Sequence, residues 1–289
     1  MKHDRALAIP PVPGLLAAIL SVQVGAALAK GLFPVLGASA TAGARIALSA
    51  AMLLAVFRPG LRGLTLRQWK ALVPFGMVLG VMNVVFYLSL SRIPLGLAVT
   101  LEFTGPLGVA LFGARRPLDL AWVLLAAAGI ALLAPWQHSG VDPLGVLFAL
   151  LAGACWAGYI VLGARASQAL PGGQAAAVAM LVATATVLPL VLLGGGLLHL
   201  TPRLLLLASA VALLSSALPY ALEIHALGAL PARAFSILMS LEPAAAALCG
   251  LLFLDEVLRP PQWLAIALVV AASLGTTLTP GAERVHGEV

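Results

Sequence analysis

The chain is a succession of long apolar runs separated by short polar breaks. Ten runs approach the ~20 residues a helix needs to cross a bilayer. They lie at about 14–36, 39–57, 71–91, 95–114, 118–136, 143–163, 175–195, 204–224, 234–254 and 262–279. The runs are continuous and rich in Leu, Ala and Val, whereas barrel strands alternate over segments of ~10 residues. The pattern therefore predicts an all-α, polytopic membrane protein with ten transmembrane helices. The ten spans use most of the 289 residues and leave no separate soluble domain.

The polar breaks reveal an internal duplication. IPLGLAVTLEFTGPL (93–107) and LPARAFSILMSLEPA (230–244) share one skeleton, a Pro that opens the segment and a second Pro twelve residues later. These are Pro94 and Pro106, then Pro231 and Pro243, candidate helix breaks or hinges. Asn83 and Tyr220 each lie eleven residues before the first Pro, and Asp119 and Glu256 thirteen after the second. The chain thus divides into two five-span halves, about 13–137 and 142–279. Halves with an odd number of spans enter the membrane in opposite directions, so the expected arrangement is an inverted repeat. Such repeats are typical of secondary transporters, with a site near the midplane and access alternating between the two sides.

Each repeat carries a glutamate in apolar surroundings, Glu102 and Glu242. Counted from the shared Pro residues, Glu102 matches Met239 and Gly105 matches Glu242, so the two acids are not symmetry mates. An acid in a span costs roughly 2.5–3.5 kcal/mol on insertion scales, and such residues commonly mark ion or substrate pathways. Glu102 can be a structural partner of Lys30 or Arg45, or a group that takes up a proton or a substrate ammonium. Glu242 and Glu223 are candidates for the same work, against the alternative of interhelical polar contacts. Arg45 can pair with a glutamate or hold a substrate carboxylate, since a guanidinium stays charged and favours bidentate partners. Lys30 offers the same choice, or snorkels outward as an anchor. Gln23 shares a helical face with Lys30, Asn83 with Tyr87, and Trp156 with Tyr159. These six polar or aromatic positions, apart from Lys30 but with Tyr220, are candidate cavity-lining groups; interhelical hydrogen bonding or packing is the alternative for each.

Composition agrees with the span pattern: 62% of residues are hydrophobic and 9% charged, against about 25% charged in soluble domains. The 29 Gly and 20 Pro suit membrane helices, where small residues allow close packing. The net charge of +6 does not indicate nucleic acid, because the basic residues are scattered over short loops. Eleven of them, from Lys2 to Arg284, fall on the side of the N-terminus, against Arg92, Arg203 and Arg259 on the other. The positive-inside rule then places both termini in the cytoplasm. Lys2, Arg5 and the triplet 27–29 imitate a cleaved signal peptide, but the apolar run continues to Leu36 and cleavage is not expected. Cys155 and Cys249 fall inside spans and read as small buried hydrophobes. No metal-ligand spacing, phosphate loop or nucleophile elbow is present. No enzyme activity, cofactor, metal or obligate protein partner is expected.

Three segments carry a family resemblance: VQVGAALAKGLFPVLGA (22–38), the stretch 86–123 containing LEFTGPL, and the stretch 214–256 containing LMSLEP. The chain resembles the drug/metabolite transporter superfamily with two EamA-type halves, and within it the bacterial threonine/homoserine exporters. The resemblance implies a multi-pass protein of the bacterial inner membrane that exports small neutral amino acids by proton antiport. Its partners would be the amino acid, protons and the lipid bilayer. The alternative is an EamA-type exporter or uniporter of another metabolite, a drug or an aromatic amino acid.

Overall fold

The computed structural model describes residues 10–112, 117–133, 141–170, 172–219, 222–223, 238–239 and 241–278. Among these residues the regular structure is entirely helical. In chain order the helices are α1 (Pro11–Leu36), α2 (Ala38–Phe57), α3 (Leu66–Leu90), α4 (Leu95–Glu102), α5 (Thr104–Phe112), α6 (Pro117–Leu133), α7 (Pro143–Ala169), α8 (Gly172–Leu193), α9 (Pro202–Ala212), α10 (Glu242–Leu254) and α11 (Pro260–Leu278). A π-helical turn, Leu213–Ala217, continues α9. Tyr220 and Pro231 lie outside the described residues.

Among the described residues, five helices are long and apolar enough to cross a membrane: Pro11–Leu36, Ala38–Phe57, Leu66–Leu90, Pro143–Gly163 and Gly173–Leu193. The remaining apolar helices are shorter. Leucines such as Leu124, Leu190, Leu206 and Leu252 face outward from the bundle, as expected of a surface solvated by lipid rather than water. The chain is thus a polytopic, all-helical membrane protein.

The apolar run expected at 95–114 is not one helix. It breaks at Phe103 between α4 and α5. The cause is local, because Pro106 has no N–H to give the carbonyl of Glu102, four residues earlier. The helix restarts with Leu107 N–H bonded to Phe103 O at 3.2 Å. Pro94 does different work: it is the N-cap of α4, where its fixed φ suits a helix start. Pro243 lies in the first turn of α10 and places Glu242 at the start of that helix, next to the favourable positive end of the helix dipole.

Helices from the two ends of the sequence interleave. α3 packs on α7 and α8, α2 on α8 and α9, α4 on α7 and α10, α1 on α10 and the π turn, and α6 on α11. Small residues permit the closest crossings. Gly105 lies against the carbonyl of Gly153, with no room for a β-carbon. A β-carbon on Gly96 would come within 2.6 Å of Ala247 Cα, where α4 meets α10. Gly105→Ala should therefore lower the stability of the purified protein by about 1–3 kcal/mol, the usual cost of overpacking. Thermal unfolding in detergent reads this directly, and an unchanged midpoint would contradict the close crossing.

After α3 an ion pair joins distant segments. Arg92, after α3, donates to Asp142 at 2.8 Å, and Asp142 also caps α7 through Leu144 N–H. The Arg92 hydrogen bond, followed by the Leu144 N–H, holds the Asp142 carboxyl below its ordinary range. The clasp therefore persists above the ordinary aspartate range and opens only as pH falls through the depressed value.

Candidate functional site

Arg45, Glu102, Glu223 and Glu242 converge on one cavity of about 500 Å³, within the ~300–1,000 Å³ of small-molecule sites. α1 supplies Gln23, α2 Arg45, α3 Asn83 and Tyr87, α4 Glu102, and α7 Trp156 and Tyr159. The π turn supplies Ser215 and Ser216, and Glu223, Met239 and Glu242 complete the wall.

Arg45 anchors one side and is buried. Its Nη1 donates to Ser216 Oγ at 3.2 Å and weakly to Ser215 O at 3.4 Å, and its Nη2 donates to Asn83 Oδ1. Asn83 is itself held, since its Nδ2 donates to Leu79 O at 2.8 Å. The guanidinium carbon lies 5.0 Å from the centre of the Tyr87 ring, a cation–π distance. The fork thus fastens α2 to α3 and to the π turn, and leaves its Nε without a partner. The π turn makes this geometry possible. Leu218 N–H bonds to Leu213 O, five residues back. Carbonyls in the turn reach sideways, Leu214 O to the hydroxyl of Ser21 at 2.8 Å and Ser215 O to Arg45. π turns recur at functional sites for this reason.

The acidic side holds Glu102 and Glu242, both buried, with Glu223 half-buried beyond them. Glu102 interacts electrostatically with Glu242 and Arg45, and Glu242 with Glu223. The cavity wall therefore carries both a fixed cation and clustered carboxyls. Aromatic packing shapes the rest. Trp156 meets Phe103 edge to face at 5.6 Å, beside the α4–α5 break, and Tyr159 stacks on Phe75 at 4.8 Å. A separate groove between α5 and α7 is almost wholly apolar. Its Thr104 hydroxyl is spent on Leu101 O.

Lys30 is not among the residues lining this cavity. Its Nζ pairs with Glu256 Oε1 at 2.5 Å and donates to Ile93 O at 3.1 Å. Glu256 Oε2 in turn accepts from Leu95 N–H, at the start of α4, at 2.7 Å. The clasp ties the C-terminal part of α1 to the α3–α4 and α10–α11 links. Glu256 is aimed by the left-handed Asp255 that ends α10 and by Gly250, where a β-carbon would press on its carboxylate. Sequence reasoning used Glu256 only as a spacing mark and passed over Ser215 and Ser216. The adjacent serines inside an apolar span were the available signal.

A bundle of apolar helices around a cavity carrying both signs of charge defines an integral membrane protein with a central polar site. The chain belongs to the EamA-like transporter family, whose pattern matches residues 143–278. It is 47% identical over 271 residues to the threonine/homoserine exporter RhtA of Escherichia coli K12, covering 93% of this chain and 92% of the relative. It is 48% identical over 273 residues to RhtA of Salmonella typhimurium LT2, with the same coverage. The uncharacterized transporter YwfM of Bacillus subtilis is 32% identical over 173 residues, covering 59% of this chain and 58% of the relative. A solved crystal structure shares the fold at a TM-score of 0.52 and 17% identity, covering 93% of this chain and 98% of the other. The family makes the chain a membrane transporter rather than an enzyme.

Proposed function

We propose that the chain exports small neutral amino acids of the threonine and homoserine class across the bacterial inner membrane, by alternating access coupled to proton entry. The observation that carries this reading is the cavity that sets Arg45 against Glu102 and Glu242. A zwitterion needs both signs, a donor for its carboxylate and an acceptor for its ammonium. Arg45 Nε serves the carboxylate end, and Glu102 the ammonium end. Competition between substrate ammonium and proton for the carboxyls gives antiport, with Glu242 and Glu223 relaying the proton. The exporters named as relatives support this substrate class.

Contacts between helices support two inversely related halves of five spans, 13–137 and 142–279, with α4 and α5 together forming the fourth. Exchanging each helix for its counterpart five spans on turns the α3–α7 contact into the contact of α1 with the π turn of span eight. It also turns α4–α7 into α1–α10, and α2–α8, α4–α10 and α6–α11 map onto themselves. The clasp of Lys30 and Glu256 crosses between these halves. With both termini cytoplasmic, it closes the outer side, and its opening admits release outward. Glu256→Gln should therefore speed labelling of a cysteine placed at Ala26 by an impermeant thiol reagent from outside, several-fold in a background without Cys155 and Cys249. An unaltered rate would refute the clasp as a gate.

Counterflow of labelled threonine and homoserine in vesicles carrying the full chain tests the function. Flux that rises with an imposed pH gradient supports antiport; flux indifferent to it points to a uniporter. The aromatic wall of Phe86, Trp156 and Tyr159 favours the second reading, a larger or aromatic substrate. Preference for phenylalanine over threonine would establish it.

A further inference from the structure

Beyond its charged ends, the cavity holds three polar atoms with no use for a substrate's backbone groups alone. Gln23 Oε1, Tyr87 Oη and Ser215 Oγ are all buried and none has a hydrogen-bond partner. Gln23 and Tyr87 are 2% and 1% exposed, so bulk solvent does not satisfy them. They come from α1, α3 and the π turn, and all three residues line the cavity. The Tyr87 and Ser215 hydroxyls are neighbours within reach of one another, but no hydrogen bond of normal distance and angle joins them. Leaving such atoms unpaired is costly, and the surroundings actively hold them in place. The Tyr87 ring is pinned by the Arg45 guanidinium and packs 5.7 Å from Phe33. Ser215 Oγ occupies the space that a β-carbon on Gly25 would fill.

We propose that Gln23, Tyr87 and Ser215 form a hydroxyl-reading subsite that selects amino acids with a side-chain hydroxyl over their methyl isosteres. The inference rests on the amino-acid reading above and adds the chemistry of side-chain selection. A hydroxyl has one proton to donate and two lone pairs to offer. Gln23 Oε1 is an acceptor and takes the proton; the hydroxyls of Tyr87 and Ser215 donate to the two lone pairs. The three orphan atoms match the three capacities of one substrate hydroxyl. Valine in place of threonine, or norvaline in place of homoserine, presents a methyl group and leaves all three unpaired. Sites built to bond a substrate hydroxyl reject the isostere more strongly than apolar pockets reject an extra methylene.

The test is counterflow of labelled threonine in vesicles containing the full chain, inhibited by unlabelled threonine, valine, homoserine or norvaline. The wild type should discriminate at least about tenfold within each isosteric pair. Tyr87→Phe and Ser215→Ala should each shrink the threonine-to-valine ratio by about 5- to 10-fold, through weaker inhibition by threonine with valine little changed. Should either variant carry no flux, the shifts in melting temperature induced by threonine and valine on the purified protein read the same ratio. A ratio unmoved in both variants overturns the subsite while the export reading stands. A wild type that carries threonine and valine alike also overturns the subsite alone. A wild type that carries no amino acid overturns both.

Discussion

Glu102→Gln should abolish the response of threonine export to a pH gradient and weaken threonine itself by about 10- to 100-fold. The magnitude follows from the loss of one charge-assisted hydrogen bond to the substrate ammonium, worth about 1.5–3 kcal/mol, with 1.4 kcal/mol for each factor of ten. Gln keeps the shape and the hydrogen-bonding oxygen of Glu102 but can neither hold the ammonium by charge nor exchange a proton. Glu102 sits at the end of α4, where the helix breaks, and Gly153 crowds its carbonyl. The backbone that aims it is therefore independent of its charge, and the variant should reach the membrane at wild-type level. Reconstituted vesicles with and without an imposed gradient decide the matter. Undiminished gradient-driven export by the Gln form would end the titrating role.

Arg45→Ala should cost stability as well as transport. The guanidinium donates to Asn83 and Ser216 from opposite arms of its fork. Its removal leaves both partners buried without it and the carboxyl of Glu102 without its nearby cation. Two charge-assisted bonds at about 1.5–3 kcal/mol each put the loss at several kcal/mol, enough to reduce the folded yield severely. Arg45→Lys keeps the charge and loses the fork, so it should recover part of the stability and little of the transport. Thermal unfolding of the purified variants separates the two effects. An Ala variant as stable as the wild type would show that the fork fastens nothing.

The residues that were legible in the sequence are those whose cost is local. A buried charge is conspicuous among Leu and Ala, so Arg45, Glu102 and Glu242 stood out before any contact was known. The break after Glu102 follows from Pro106 by counting four residues back. Partnerships were not legible, because they join segments far apart in the chain. Lys30 and Glu256 are separated by 226 positions and Arg45 and Ser216 by 171. No periodicity encodes which distant polar group a snorkelling lysine will find, and Lys30 therefore left the expected binding group for the clasp. Ser215 and Ser216 were hidden for another reason. Serine in a membrane helix commonly bonds its own backbone, and only the widened turn aims these hydroxyls inward.

That widened turn also makes the wall sensitive to chain length. Five residues from Leu213 to Ala217 accommodate one residue more than a regular α-helical turn. Deleting one of them would return the turn to the regular i→i+4 pattern, with both flanks close to their present register. The bundle would keep its outline, while the carbonyls that now reach Ser21 and Arg45 would turn back into the helix. A one-residue deletion at this point would therefore loosen the wall at Arg45 and Ser21 rather than re-register the span.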